Sequence, residues 1–340
     1  MKDLFFKKIS FSYVLLIAIS SSLITYYFTN RIKDKQVVDA ENSAQSTASS
    51  YNIKRLNGYN YIKPLLFVDN VNESENLASV KQNIIDVIDN FKKTNTLTSA
   101  SVYLKEYAGN EWTTINPDEK YLPGSLLKVP ELITFLKMNE EKPGLLDKEL
   151  LFDHPFSSDK NPVYLSKSIQ LGHKYSIREL LRYMIEYSDN NATMLLNNNI
   201  DVNTFKKVFT DLGLEAPDWN SSNYPICARD FSLFMRALYN ASYLTIKDSE
   251  FATELLGKTD FKQGIVSSLP AGTKIVHKFG EGGDPIEKQL HESAIVYIKD
   301  KPYLVTIMTK GKDMKMLPEV IRQISKAAYE GMISQTVSSL

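Results

Sequence analysis

Ser125 and Lys128 are three residues apart in the stretch YLPGSLLKVP and could form an activated nucleophile. Residues at this spacing are neighbours on one face of a helix. A serine hydroxyl attacks only when a base takes its proton, and a desolvated lysine can be that base. The free N–H groups at a helix start could hold an oxyanion. The same two residues would equally suit a helix N-cap followed by a solvated lysine.

A second polar cluster, Ser188-Asp189-Asn190, follows a predicted helix whose start is marked by a capping box at Ser176 and Glu179. In a site, Ser188 could relay a proton to a leaving group, and Asn190 could offer its amide to a substrate carbonyl. We expect Asp189 to brace the loop. The alternative is a polar helix end and turn.

Lys278 and Gly280 end the apolar stretch IVHKFG, which is predicted to be a strand. A lysine at this place could hold a substrate carboxylate, while the edge of the strand pairs with the substrate backbone. Lys-x-Gly alone is common, and it recurs at Lys142 and Lys262. Only at Lys278 does the pattern end an apolar strand ahead of another strand.

The composition excludes several classes of function. The 340 residues carry 40 basic and 40 acidic side chains, without the basic excess of a nucleic-acid-binding protein. The single cysteine rules out an intramolecular disulfide. The four histidines are scattered, and no pair has metal-ligand spacing. We therefore expect neither a metal nor a cofactor, and no nucleic-acid partner.

The elements that must position these residues follow an N-terminal anchor. Residues 9–28 are uncharged and long enough to cross a membrane, and lysines precede them. We expect a transmembrane anchor, with a cleaved signal peptide as the alternative. Residues 29–60 are predicted to be a flexible linker and residues 61–340 a single domain.

Strand patterns near both ends of residues 61–340 enclose a mostly helical middle. This arrangement predicts one sheet, built from N- and C-terminal segments, beside a helical lobe. A cleft between the two would be a natural place for a site.

The three polar elements occur in the order found in class A β-lactamases and penicillin-binding proteins, and from about residue 61 onward the chain resembles that family. The resemblance implies an α/β sandwich, with an antiparallel sheet flanked by terminal helices beside an all-helical lobe. By the same resemblance, Ser125 is acylated and Lys128 is its base. The other implied site residues are Ser188 in catalysis and Asn190, Lys278, Gly280 and Glu281 in substrate binding. The N–H groups of Ser125 and Glu281 match the oxyanion hole.

Two features depart from the family pattern. Phe279 lacks the hydroxyl that usually helps to bind the substrate carboxylate. The chain also lacks the Glu-x-x-x-Asn loop whose glutamate activates the deacylating water in class A enzymes. Glu215 and Asp218 are the only acids near the matching stretch. Slow deacylation is therefore expected.

The resemblance implies a membrane-anchored serine hydrolase that forms an acyl-enzyme with β-lactams. Two alternatives stay open: a D,D-peptidase acting on peptidoglycan stem peptides, with a D-Ala-D-Ala-type substrate, and a slow acylating sensor of penicillin or cell wall. Family substrates lie outside the inner membrane, so residues 1–8 are expected in the cytoplasm and the catalytic domain outside it. We expect a monomer.

Overall fold

The computed structural model describes residues 25–26, 51–156, 162–219, 221, 224–299 and 301–337. The chain divides into two compact units, Met1–Tyr51 and Asn52–Leu340. The predicted anchor at residues 9–28 lies outside the described residues, apart from 25 and 26. No helix among the described residues is long and apolar enough to cross a membrane.

A five-stranded antiparallel sheet joins segments from both ends of the second unit. Its strands, in spatial order, are β4 (Trp112–Ile115), β3 (Leu97–Glu106), β9 (Tyr303–Gly311), β8 (Lys288–Tyr297) and β7 (Lys274–Gly283). The pairing of Val102 with Ile307 brings the N-terminal strand β3 against the C-terminal strand β9. The predicted sheet built from both chain ends is therefore confirmed.

Two small sheets, eight α-helices and four short 3₁₀ helices complete the fold of the residues described from 51 onward. The small sheets pair β1 (Tyr51–Arg55) with β2 (Leu65–Asn70) and β5 (Glu149–Leu151) with β6 (Lys174–Ser176). The helices are α1 (Ala78–Lys93), α2 (Lys128–Glu141), α3 (Ile177–Glu186), α4 (Asn190–Asn197), α5 (Val202–Asp211), α6 (Ala228–Tyr239), α7 (Ile246–Leu256) and α8 (Leu317–Val337). Strand β1 lies inside residues 29–60, which the sequence predicts to be a flexible linker, so regular structure begins earlier than expected.

The terminal helices α1 and α8 cover one face of the sheet. Ile84 of α1 and Ile321 of α8 belong to one buried cluster with Leu104 and Val305 of the central strands. Burying apolar surface is the main favourable term in folding, so this cluster fixes the helices on the sheet. The antiparallel sheet with flanking terminal helices, implied by the family resemblance, is confirmed.

The middle of the chain forms a helical lobe whose core includes α2 and α3. The predicted capping box is present: the Ser176 hydroxyl accepts from the Glu179 N–H, and the Glu179 carboxylate accepts from the Ser176 N–H. It starts α3, whose buried Leu180, Leu181 and Met184 pack into the core of the lobe. The end of α3 then presents Ser188 to the site.

Candidate active site

Ser125 lies in a 3₁₀ turn, Gly124–Leu127, that leads directly into α2. The side chain of Ser125 is not the helix cap, because Leu127 occupies the N-cap position of α2 and makes no side-chain cap. Gly124 has φ +53°, and a Cβ there would meet the backbone oxygen of Glu281. The turn that carries the serine is therefore pressed against β7.

Gly280 allows this close approach from the other side. A Cβ built on Gly280 would lie 2.8 Å from the Leu126 nitrogen and would also collide with the Pro123 oxygen. The glycine thus brings the backbone of β7 onto the turn that carries Ser125. The peptide of Glu281 also faces Gly124, with the Glu281 nitrogen 3.2 Å from the ideal Cβ position. The two N–H groups expected to form the oxyanion hole, those of Ser125 and Glu281, therefore belong to facing segments.

Lys128 is the first residue of α2 and is only 4% exposed. Its amine donates to the Ser188 backbone oxygen at 2.6 Å, to the Ser188 hydroxyl at 3.2 Å and to Asn190 Oδ1 at 2.9 Å. Burial lowers the pKa of Lys128 below its ordinary value, against the opposing effect of nearby carboxylates. A lysine with a lowered pKa is more often neutral near pH 7 and can accept a proton.

Ser188 and Asn190 meet Lys128 because of the turn between α3 and α4. Ser188 has a left-handed backbone with φ +55°. Asp189 holds this turn: its carboxylate accepts from Asn191 N–H at 3.0 Å, from the Ser168 hydroxyl at 2.8 Å and from Ile169 N–H at 2.9 Å. Asp189 braces the loop, as its place in the sequence predicts.

Lys278 reaches the same serine from β7. Its side chain is fully buried, and its amine donates to the Ser188 hydroxyl at 2.9 Å and to the Phe279 backbone oxygen at 3.1 Å. Burial lowers the pKa of Lys278 well below its ordinary value, and the positive charge of Lys128 adds to this. The Ser188 hydroxyl therefore accepts from two amines, which leaves its own proton to donate.

A model of the β-lactamase enzyme family matches residues 79–332. The chain belongs to this family. Three solved structures have the same fold. A mutant of PBP-A in an acyl-enzyme complex with penicillin G is 19% identical, and the match covers 76% of this chain and 97% of that one with a TM-score of 0.61. The class A β-lactamase from Mycobacterium abscessus is 18% identical (73% and 98% covered, TM-score 0.61), and a variant of the last common ancestor of class A β-lactamases of Gram-negative bacteria is 15% identical (76% and 100% covered, TM-score 0.65). No curated protein matches the sequence. The prediction of a β-lactamase-like serine hydrolase is confirmed by the family match.

The side chain of Glu281 has a structural contact that the sequence does not predict. Its carboxylate accepts from the N–H groups of Val163 at 2.8 Å and Tyr164 at 2.9 Å. The acid therefore holds the 163–164 segment beside β7, while its backbone faces the turn of Ser125.

The two acids nearest to the stretch where class A enzymes carry the water-activating glutamate are exposed. Glu215 and Asp218 both face solvent, and the Glu215 backbone oxygen accepts from the Tyr224 hydroxyl at 2.8 Å. The carboxylates that raise the pKa of Lys128 are instead Glu131, Asp189 and Glu281.

Glu131 is a buried acid that sequence reasoning missed. It lies one turn after Lys128 on α2 and is 7% exposed. Its Oε1 is 3.4 Å from Asn197 Nδ2, and its Oε2 is buried without a hydrogen-bond partner among the described residues. Burial raises the pKa of Glu131, against the opposing effect of Lys128. A charged residue inside the apolar run VPELITFL was the signal that could have revealed it.

Proposed function

We propose that the protein is a membrane-anchored serine hydrolase that forms an acyl-enzyme on Ser125 with β-lactams and releases the acyl group slowly. One observation carries the proposal. The Ser188 hydroxyl accepts hydrogen bonds from the amines of both Lys128 and Lys278, at 3.2 and 2.9 Å. Such a hydroxyl is set to pass a proton to a leaving nitrogen.

Acylation follows from this geometry. In its neutral form Lys128 keeps two N–H donors and one lone pair, and this lone pair takes the proton of Ser125 as the serine oxygen attacks the lactam carbonyl carbon and the C–O bond forms. The N–H groups of Ser125 and Glu281 stabilise the oxyanion. When the carbonyl reforms, the C–N bond breaks, and the ring nitrogen takes the proton of Ser188. Lys128, now an ammonium, returns a proton to Ser188. The products are a serine ester and a ring-opened amine.

Deacylation needs a base that aligns water against the ester. Glu215 and Asp218 lie at the surface. Removing a general base typically slows the step it serves by about 10²–10⁴-fold. The ester should therefore be hydrolysed more slowly than it forms.

The same residues would also serve a D,D-peptidase that cleaves a D-Ala-D-Ala-type peptide, since both reactions pass through a serine ester. A slow acylating sensor would make the ester without turnover. The three functions differ in the lifetime of the adduct and in whether a peptide is cleaved.

Intact-mass analysis tests the central step. The full-length protein in detergent is exposed to benzylpenicillin, and the adduct is followed with time. We expect a stable mass increase of one penicillin, which is absent in Ser125→Ala. An equal adduct on the alanine variant would rule out Ser125 as the nucleophile.

The proposed membrane anchor rests on the uncharged residues 9–28, and the proposed location of the catalytic domain outside the membrane rests on where the substrates of the family lie. The full-length protein should fractionate with membranes, and protease added outside spheroplasts should digest the domain. Recovery in the soluble periplasmic fraction would instead indicate a cleaved signal peptide.

A further inference from the structure

Residues 57–63, in the loop between β1 and β2, expose large apolar side chains to solvent. Every residue of this 57–63 loop is exposed, and Tyr61 is 98% exposed, Ile62 59% and Tyr59 53%. Large apolar side chains gathered on a surface mark a contact with another molecule or with a membrane. The loop precedes residues 79–332, which match the β-lactamase family model, so it lies outside the region that the family shares.

The base of this hairpin is held firmly in the domain. Leu56, Leu66 and Phe67 belong to the buried cluster that includes the core of the helical lobe. The Leu56 N–H donates to the Pro64 oxygen at 2.9 Å and closes the neck of the loop. The fold therefore buries the apolar side chains on both sides of the loop and leaves those of the loop itself in solvent.

The charges around the loop favour an anionic surface. From residue 51 to residue 68 the sequence contains three basic residues, Lys54, Arg55 and Lys63, and no acid. The Arg55 guanidinium donates to the Lys63 backbone oxygen at 2.7 Å, and both residues are exposed. Two cations therefore lie beside the exposed tyrosines. Aromatic and apolar side chains next to lysine and arginine are typical of segments that lie at the boundary between a bilayer and water.

The position of the loop along the chain brings it close to the predicted anchor. Residues 9–28 are uncharged, and only residues 29–56 separate them from the loop. If residues 9–28 span a bilayer, this short connection tethers the loop beside it. A tether raises the effective concentration of the loop at the membrane, so that weak contacts suffice to dock it.

We propose that the 57–63 loop docks into the headgroup region of a bilayer that contains anionic lipids. Its tyrosine and isoleucine side chains lie among the headgroups, and its neighbouring cations meet the lipid phosphates. The loop thereby holds the catalytic domain against the membrane surface. The inference rests on the membrane anchor of the proposed function.

Full-length Tyr61→Trp in vesicles of phosphatidylethanolamine and phosphatidylglycerol tests the inference. The matched control is Ile286→Trp, because Ile286 is 85% exposed in the turn between β7 and β8. Lipids that carry bromine on their acyl chains quench a tryptophan that they contact, and the wild type gives the background of the two native tryptophans. The added indole of Tyr61→Trp should be quenched and emit at shorter wavelength, and that of Ile286→Trp should not. Equal quenching of the two variants, or quenching of neither, would overturn the inference.

Lys63→Gln, added to Tyr61→Trp, tests the contribution of charge. Loss of one cation near an anionic surface should lower the ratio of docked to free loop, measured by the quenching, about fivefold. Lys247→Gln is the control, because this exposed lysine lies on α7 and outside the loop. It should leave the ratio unchanged. Equal effects of the two changes would indicate net charge and contradict docking by this loop.

Flotation of the same vesicles separates the inference from the proposed function. If the protein floats but Tyr61→Trp is not quenched, the anchor stands and the docking loop is wrong. If the protein does not float, both fail. Quenching in a protein that penicillin never acylates would remove the hydrolase function and leave the docking loop. A spectral shift that follows protein concentration and ignores bromine would mean that a second copy covers the loop, and would overturn the membrane as partner.

Discussion

The α2 side of the site and residues 213–219 differ in how their polar groups are held. On the α2 side, the Lys128 amine is buried and makes three hydrogen bonds to Ser188 and Asn190. In residues 213–219, the acids Glu215 and Asp218 are exposed. Buried, fully bonded polar groups keep one geometry, whereas exposed side chains do not. Under the proposed function, the fold therefore holds the groups that would form the ester more firmly than Glu215 and Asp218.

Lys128→Arg should slow acylation almost as much as Lys128→Ala. Arginine keeps the positive charge but stays protonated at working pH, so it cannot take the serine proton. We expect acylation by benzylpenicillin to fall about 10²–10⁴-fold in both variants, measured by intact mass. Near wild-type acylation by the arginine variant would show that another group is the base.

Gly280→Ala should disturb the position of the nucleophile without changing any reacting group. Its Cβ would collide with the Pro123 oxygen and crowd the Leu126 nitrogen, so the turn of Ser125 must shift. A displacement of about 1 Å can cost roughly 10²-fold in rate, and we expect a loss of that order in acylation. Gly257→Ala is the control, because a Cβ there makes only ordinary contacts of 3.5 Å or more. Equal losses of acylation in the two variants would indicate general destabilisation instead of a displaced nucleophile.

Glu131→Gln should shift the pH dependence of acylation. The base form of Lys128 grows as pH rises, so the acylation rate should rise through the lowered pKa of this lysine and then level off. The Glu131 carboxylate raises that pKa, and glutamine cannot, so the rising limb should move to lower pH. The pH profile of acylation measures this shift. An unchanged profile would show that Glu131 does not act on Lys128.

The sequence predicts the helices and strands that depend on local residue patterns. Ser176 and Glu179 predict a helix start, and alternating apolar residues predict the strands. The family resemblance adds the expectation that Ser125, Lys128, Ser188 and Lys278 share one site, and hydrogen bonds join three of them, Lys128, Ser188 and Lys278.

The contacts that sequence patterns miss join residues that are distant along the chain. Phe279 stacks on Phe261 and meets Tyr164, and no local spacing reports that cluster. The burial of Glu131 depends on its packing against α4 near Asn197, so an acid in an early helical turn could equally have faced solvent.

The most direct test of the account compares the two half-reactions on one protein. Stopped-flow acylation of the full-length wild type by benzylpenicillin gives the rate of ester formation, and the decay of the adduct by mass spectrometry gives the rate of hydrolysis. The account predicts that formation exceeds decay by at least about 10²-fold, because the base for acylation is buried and bonded while Glu215 and Asp218 are exposed. An adduct that decays as fast as it forms would contradict it and would require an acid, Glu131 or Glu215, to activate water.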